Sequence, residues 1–150
     1  MKRDRIQAMV CRDGKLLLVE HIMRGRDFFS LPGGGIEGDE TPEKAALREL
    51  QEEAGVSGKI IRPLSIEYKP DLESRIFTFL VEIPEYAIPV KGIDPEVSED
   101  EQTIVDVKWL SLDEIPERDR AYLFSAGLIR VPEFHNIVLG WSDHAISFPE

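Results

Sequence analysis

A chain of 150 residues with a net charge of −11 and a single cysteine has room for one domain with a sizeable core. The acidic balance argues against binding a nucleic-acid polymer, whose partners draw affinity from basic patches, and the lone Cys11 excludes an internal disulfide and fits a reducing compartment. No apolar run is long enough to span a membrane, and the charged opening Met1-Lys2-Arg3-Asp4-Arg5 leads into no signal-like stretch. A single domain over 1–150, no membrane partner and a cytoplasmic location are therefore expected.

Apolar-rich runs at 6–11 and 16–21 flank Arg12-Asp13-Gly14-Lys15 and predict a hairpin. A short strand at 28–31 feeds the glycine-rich Leu31-Pro32-Gly33-Gly34-Gly35-Ile36-Glu37-Gly38-Asp39-Glu40. Thr41-Pro42-Glu43 then opens a helix: Thr is a favoured N-cap, Pro suits the first helical position, and Glu43 complements the dipole. Strong helix formers continue to Ala54, and Gly55 is placed to cap the end. Strands are predicted at 59–68 and 75–82 around a turn at Pro70-Asp71-Leu72-Glu73, and another at 104–110. Between them 84–100, rich in Pro, Gly and acid, reads as a long excursion. Ser111-Leu112-Asp113-Glu114 has capping-box spacing and predicts a second helix, with a third over 119–129. A mixed sheet between helices follows from this order.

The first predicted helix concentrates the chemistry. Glu49, Glu52 and Glu53 stand at i, i+3 and i+4, so their carboxylates share a face where unneutralised like charges cost stability. An ordinary solvated helix would pair such glutamates with Lys44 and Arg48, but the glycine-rich loop in front is suited to close approach of backbone to a ligand or metal. Oxygen donors without nearby Cys or His suit Mg²⁺, or Mn²⁺, over Zn²⁺. His21, His135 and His144 fit no zinc spacing, and Cys11 reads as a small core residue.

Gly34, Glu40, Arg48-Glu49-Leu50, Glu52-Glu53 and Gly55-Val56 match every position of the Nudix box, and the chain resembles the Nudix hydrolase superfamily. The likeness extends to Lys108-Trp109-Leu110-Ser111-Leu112-Asp113-Glu114. One departure is Gly38-Asp39, where relatives commonly have Pro-Gly. The resemblance implies an α/β/α sandwich of the α+β type and Mg²⁺-dependent cleavage of the diphosphate linkage of a nucleoside diphosphate derivative, such as a nucleoside triphosphate or ADP-ribose, with release of a mononucleotide. It also implies roles: Glu49, Glu52 and Glu53 as metal ligands, the Gly33 carbonyl as a further one, Arg48 as their organiser, and Glu40 with Gly34 as loop support.

The water attacking phosphorus needs a base. Glu49 and Glu53 in the box and Glu96, Glu99, Asp100 and Glu101 in the late loop are the candidates, with Glu101 favoured because it precedes the strand to Trp109. For the substrate, Phe28 or Phe29 is placed to stack on a base, Arg24 and Arg26 to pair with phosphate, and Tyr68 and Arg75 to contact the nucleoside. Solvent exposure has equal weight for the arginines, and for Phe29 burial in the core is favoured at about two to one. The C-terminal aromatics Phe134, Trp141 and Phe148 suit covering the sheet or a homodimer partner. The alternative function is a catalytically silent nucleotide-sensing module, which an intact set of box glutamates disfavours.

Overall fold

The computed structural model describes residues 3–92, 97–99 and 102–139. Within them the order is β1 (Arg5–Met9), β2 (Cys11–Arg12), β3 (Lys15–Met23), β4 (Arg26–Ser30), β5 (Gly33–Gly35), α1 (Pro42–Ala54), β6 (Lys59–Lys69), β7 (Ser74–Glu82), β8 (Ile104–Ser111), α2 (Glu117–Ser125) and α3 (Pro132–Leu139). Single 3-10 turns lie at Pro70–Leu72, Leu112–Glu114 and Leu128–Arg130. Two residues with positive φ, Asp13 at 51° and Gly14 at 76°, close the β2–β3 hairpin, as a two-residue loop between twisted strands demands. Arg24 and Gly25 repeat the device at 54° and 75° between β3 and β4.

The expected strand at 6–11 divides in two. Up to Met9 it runs parallel to β7, opposite Leu80, whereas Cys11 pairs with Leu16 on β3. The mixed sheet is thereby realised as two four-stranded sheets: one ordered β5-β1-β7-β6, the other built on β3, which pairs antiparallel with β2, β4 and β8. The chain passes from one to the other at Val10. The glycine triplet, expected as loop, is itself a strand against β1.

Alternation along β1 feeds two apolar layers. Ile6, Ala8 and Val10 join Leu17, Phe79 and Val81 under the small-residue side of α1, supplied by Ala45, Ala46, Leu50 and Ala54. Met9, Leu16, Leu18, Leu64 and Leu110 meet Leu123, Leu128, Val131 and Phe134 on the other side. Helices on both faces of the strands give the α/β/α sandwich.

After β8 the observed elements depart from expectation. Ser111 and Glu114 form both halves of the capping box, yet only a 3-10 turn follows, because Pro116 redirects the chain before α2 begins. The helix expected over 119–129 ends at Ser125, since Gly127 takes φ 103° and starts a separate turn. An added helix, α3, then contributes the fully buried Phe134. Leu50→Ala, which empties the centre of the α1 layer, is expected to cost about 2–5 kcal/mol in equilibrium urea unfolding; a loss under about 1 kcal/mol would show that α1 is not docked there.

Candidate active site

Helix α1 has the predicted limits for the predicted reasons. Thr41 is extended and its Oγ1 accepts from the Lys44 N–H at 3.2 Å, while Gly55 adopts φ 67° and donates its N–H to the Gln51 carbonyl. These caps place Arg48 over the glycine strand. Its Nη2 donates to the Gly35 carbonyl at 2.9 Å and to Glu40 at 2.7 Å, and its Nη1 reaches Glu49 at 3.0 Å and Glu52 at 3.1 Å. One guanidinium thus joins strand, loop and helix. Hydrogen bonds from Arg48 hold the Glu40 carboxyl below its usual range, and those carboxylates, Glu40 foremost, keep Arg48 more firmly charged than usual despite burial.

Glu53 leans the other way, accepting from the Gly33 N–H at 2.6 Å. Glycine is required around these contacts. A Cβ on Gly33 would lie 2.2 Å from the Ile6 carbonyl oxygen, and one on Gly34 would lie 2.3 Å from a Glu49 oxygen. Beyond the helix, Val90 and Gly92 donate their N–H groups to the carbonyls of Ala54 and Glu53, satisfying otherwise open acceptors at the C-terminal end. A Cβ on Gly92 would meet the Glu52 carbonyl at 1.7 Å, so only glycine lets the excursion close there.

Among the described residues no three acidic, His or Cys side chains converge as a ready-made metal cage. The reason is local: Glu49 and Glu52 turn toward Arg48 while Glu53 turns toward Gly33. The donor set nevertheless fits a hard cation. Glu49 and Glu53 are only 5% and 6% exposed. Around them Glu37, Glu40, Glu49 and Glu52 gather about Arg48, and Glu53 accepts from Gly33. Crowded carboxylates repel one another, and a bound hard cation would relieve that repulsion.

A cleft of about 340 Å³ opens beside this helix, lined in part by Gly33, Gly34 and Glu53 at one end and by Phe28, His21 and Arg5 elsewhere. Its volume lies in the range of small-molecule sites. His21 stacks on Phe28 at 4.7 Å with ring planes 9° apart, and its two nitrogens meet Thr103 Oγ1 and Ser30 Oγ, each at 2.9 Å. The Tyr122 hydroxyl, bonded to the Leu31 backbone, titrates above its usual value because it is buried.

Of the substrate contacts expected from sequence, Phe28 lines this cleft. Arg26 borders a separate depression shared with Phe28, Arg118 and Asp119. Arg24, Tyr68 and Arg75 are not in the lining of this cleft. Arg24 occupies the left-handed turn at the tip of the β3–β4 hairpin. Arg75 pairs with Asp4 at 2.8 Å and lies over Phe77, two residues along and therefore on the same face. Ile76 between them faces the cleft, and Tyr68, opposite Arg75 in register, shares the wrong face. Phe29 packs against the core. Glu96, Asp100, Glu101, Trp141, His144 and Phe148 lie outside the described residues. Cys11 packs beside the core, where burial pushes its thiol up to about 12, an unreactive value.

Arg5, Gln7, His21, Ser30 and Tyr122 were not singled out as cleft residues by sequence reasoning. A glutamine inside the apolar run at 6–11 was the one available signal. His21 gave none, because Ser30 and Thr103 are 9 and 82 residues away along the chain.

The family model of the NUDIX domain matches residues 1–130. The chain belongs to the Nudix family. Diphosphoinositol polyphosphate phosphohydrolase 3-alpha of Mus musculus is 41% identical over 75 residues, which is 49% of this chain and 45% of that protein. The match thus takes in less than half of that relative. A NUDIX hydrolase from Nitrosomonas europaea superposes with a TM-score of 0.65 at 23% identity, over 79% of this chain and 62% of its own. An ADP-ribose pyrophosphatase from Streptococcus suis gives 0.57 at 22% identity, over 77% and 78%. These Nudix structures share the fold.

Two predictions follow from this geometry. The obstacle to a Cβ on Gly34 is the flexible end of Glu49, so Gly34→Ala should fold yet displace that carboxylate, weakening Mn²⁺ binding by about 10–100-fold in an electron paramagnetic resonance titration; wild-type affinity would remove Glu49 from the metal site. Asp119, 7% exposed, accepts from the Phe29 N–H at 3.1 Å and anchors α2 to β4. Burial raises its carboxyl above the ordinary 3.8, so the folded state holds the proton longer than the unfolded state and wild-type stability falls as pH rises through that window. Asp119→Asn, which keeps an acceptor, is expected to be more stable than wild type at pH 7, with the advantage closing as pH falls to 3.8 and below. An advantage equal at pH 7 and pH 3 would sink this account.

Proposed function

We propose that this protein is a divalent-metal-dependent hydrolase that cleaves the diphosphate linkage of a nucleoside diphosphate derivative and releases a mononucleotide. One observation carries the reading: Glu53, Gly33 and Gly34 of the acidic site line the same cleft as the stacked pair His21 and Phe28. A ligand with a flat ring at one end and a diphosphate at the other spans that arrangement.

Glu49, Glu52 and Glu53, with the Gly33 carbonyl, would hold the Mg²⁺ or Mn²⁺. When bound, the cation neutralises diphosphate charge and lowers the pKa of water. Arg48 aims Glu49 and Glu52 through its hydrogen bonds and holds Glu40 ionised, which is a positioning role. Glu101 is assigned as the base that takes the water's proton, with Glu49 and Glu53 in the box and Glu96, Glu99 and Asp100 in the late loop as the alternatives. As that proton leaves, a P–O bond forms to the water oxygen and the P–O bond to the departing phosphate breaks.

The mouse relative's name points to diphosphoinositol polyphosphates. The cleft favours a nucleotide instead, since Arg5 is the one arginine of its described lining and no lysine joins it. A ring bearing many phosphates needs many such cations. The test is a panel of nucleoside triphosphates, nucleotide sugars and diphosphoinositol phosphates with Mg²⁺. At least one nucleotide should yield a mononucleotide, and Glu52→Gln or Glu53→Gln should lower kcat/KM by about a hundredfold or more. Undiminished turnover in both variants would falsify the metal-site assignment, and binding without cleavage would favour a sensor.

A further inference from the structure

Gln7 is the polar break in the buried strand β1, between Ile6 and Ala8. It is 7% exposed and lines the cleft together with Arg5, His21 and Phe28. Its Oε1 has no hydrogen-bond partner. Thr78, its register partner on β7, is fully buried, and its Oγ1 has none either. Two such orphaned atoms on register partners are rare in a folded core, because each forgoes the hydrogen bonds it made in water.

We propose that Gln7 is a specificity-determining residue that accepts a hydrogen bond from a ring N–H or amino group of the bound ligand, with Thr78 backing it. The inference rests on the cleft being the substrate site. In the same lining Ser30 bonds His21 and Tyr122 bonds the Leu31 backbone, while the Arg5 guanidinium is a donor and cannot act as the acceptor. The last torsion of a glutamine side chain is soft, so the carboxamide turns its oxygen into the cleft without moving β1. An acceptor at that point selects a ring edge carrying N–H donors, as every nucleobase does. It repels a phosphorylated ring, whose phosphates are acceptors as well. A structural water bridging Gln7 to Thr78 would satisfy the same atoms, but it would make binding indifferent to the ligand's ring.

The test is calorimetric titration of the full chain, with Mg²⁺, against AMP, GMP, CMP, UMP and ribose 5-phosphate. These carry no diphosphate, so the readout is independent of hydrolysis. Wild type should bind at least one mononucleotide tenfold or more tighter than ribose 5-phosphate. Gln7→Met, close in volume and flexibility, should lower that mononucleotide's affinity about tenfold and leave ribose 5-phosphate unchanged. Thr78→Val should give a smaller loss of the same pattern and serves if Gln7→Met does not fold. The proposal is overturned if wild type shows no preference for a base, or if the variants lose neither ligand or both equally. A chain that shows the pattern but cleaves no diphosphate keeps this inference and loses the hydrolase reading, and cleavage without the pattern does the reverse.

Discussion

The guanidinium of Arg48 is the point on which the acidic site depends. It donates to Glu40 in the loop, to Glu49 and Glu52 on its own helix, and to the Gly35 carbonyl on β5. Lysine cannot serve all four, because a single ammonium lacks the planar fork that reaches several acceptors at fixed angles. The arrangement also explains why the glutamates point apart. Each has found a donor in the protein, so their negative charge is organised.

Close approach of backbone is the second constraint. Gly33 lets β5 press against β1, Gly34 makes room for Glu49, and Gly92 lets the excursion after β7 seat on the carbonyl of Glu52. Arg12 pins the same excursion from the far side, with hydrogen bonds to the carbonyls of Pro84 and Ala87 and its guanidinium 4.8 Å over Trp109. Residues distant from the chemistry thereby fix the end of α1 that carries it.

The cleft divides its labour along its length. Its acidic end is built from one contiguous stretch, while its aromatic end draws on β1, β3, β4, β7 and α2. Local sequence therefore specifies the acidic set, and packing specifies the lining beside it. The similarity to the mouse relative, confined to about half of either chain, leaves the second matter to the residues themselves.

The chain by itself determined α1, its caps, the acidic set on one face and both apolar periodicities, because capping, helix propensity and alternation act within a few residues. The same local signal overreached at Ser111, where a complete capping box yields one 3-10 turn before a proline. It was silent on His21, Arg5 and Gln7, and it did not show that Tyr68 and Arg75 lie outside the cleft lining. Which side of a strand meets the cleft is set by strand register, and only the pairing of Arg5 with Ile76 and of Tyr68 with Arg75 turns Ile76 inward and the other two away. Such pairings join residues some 70 positions apart or reverse over a turn. Their outcome belongs to the assembled sheet, where a shift of one residue exchanges the two faces.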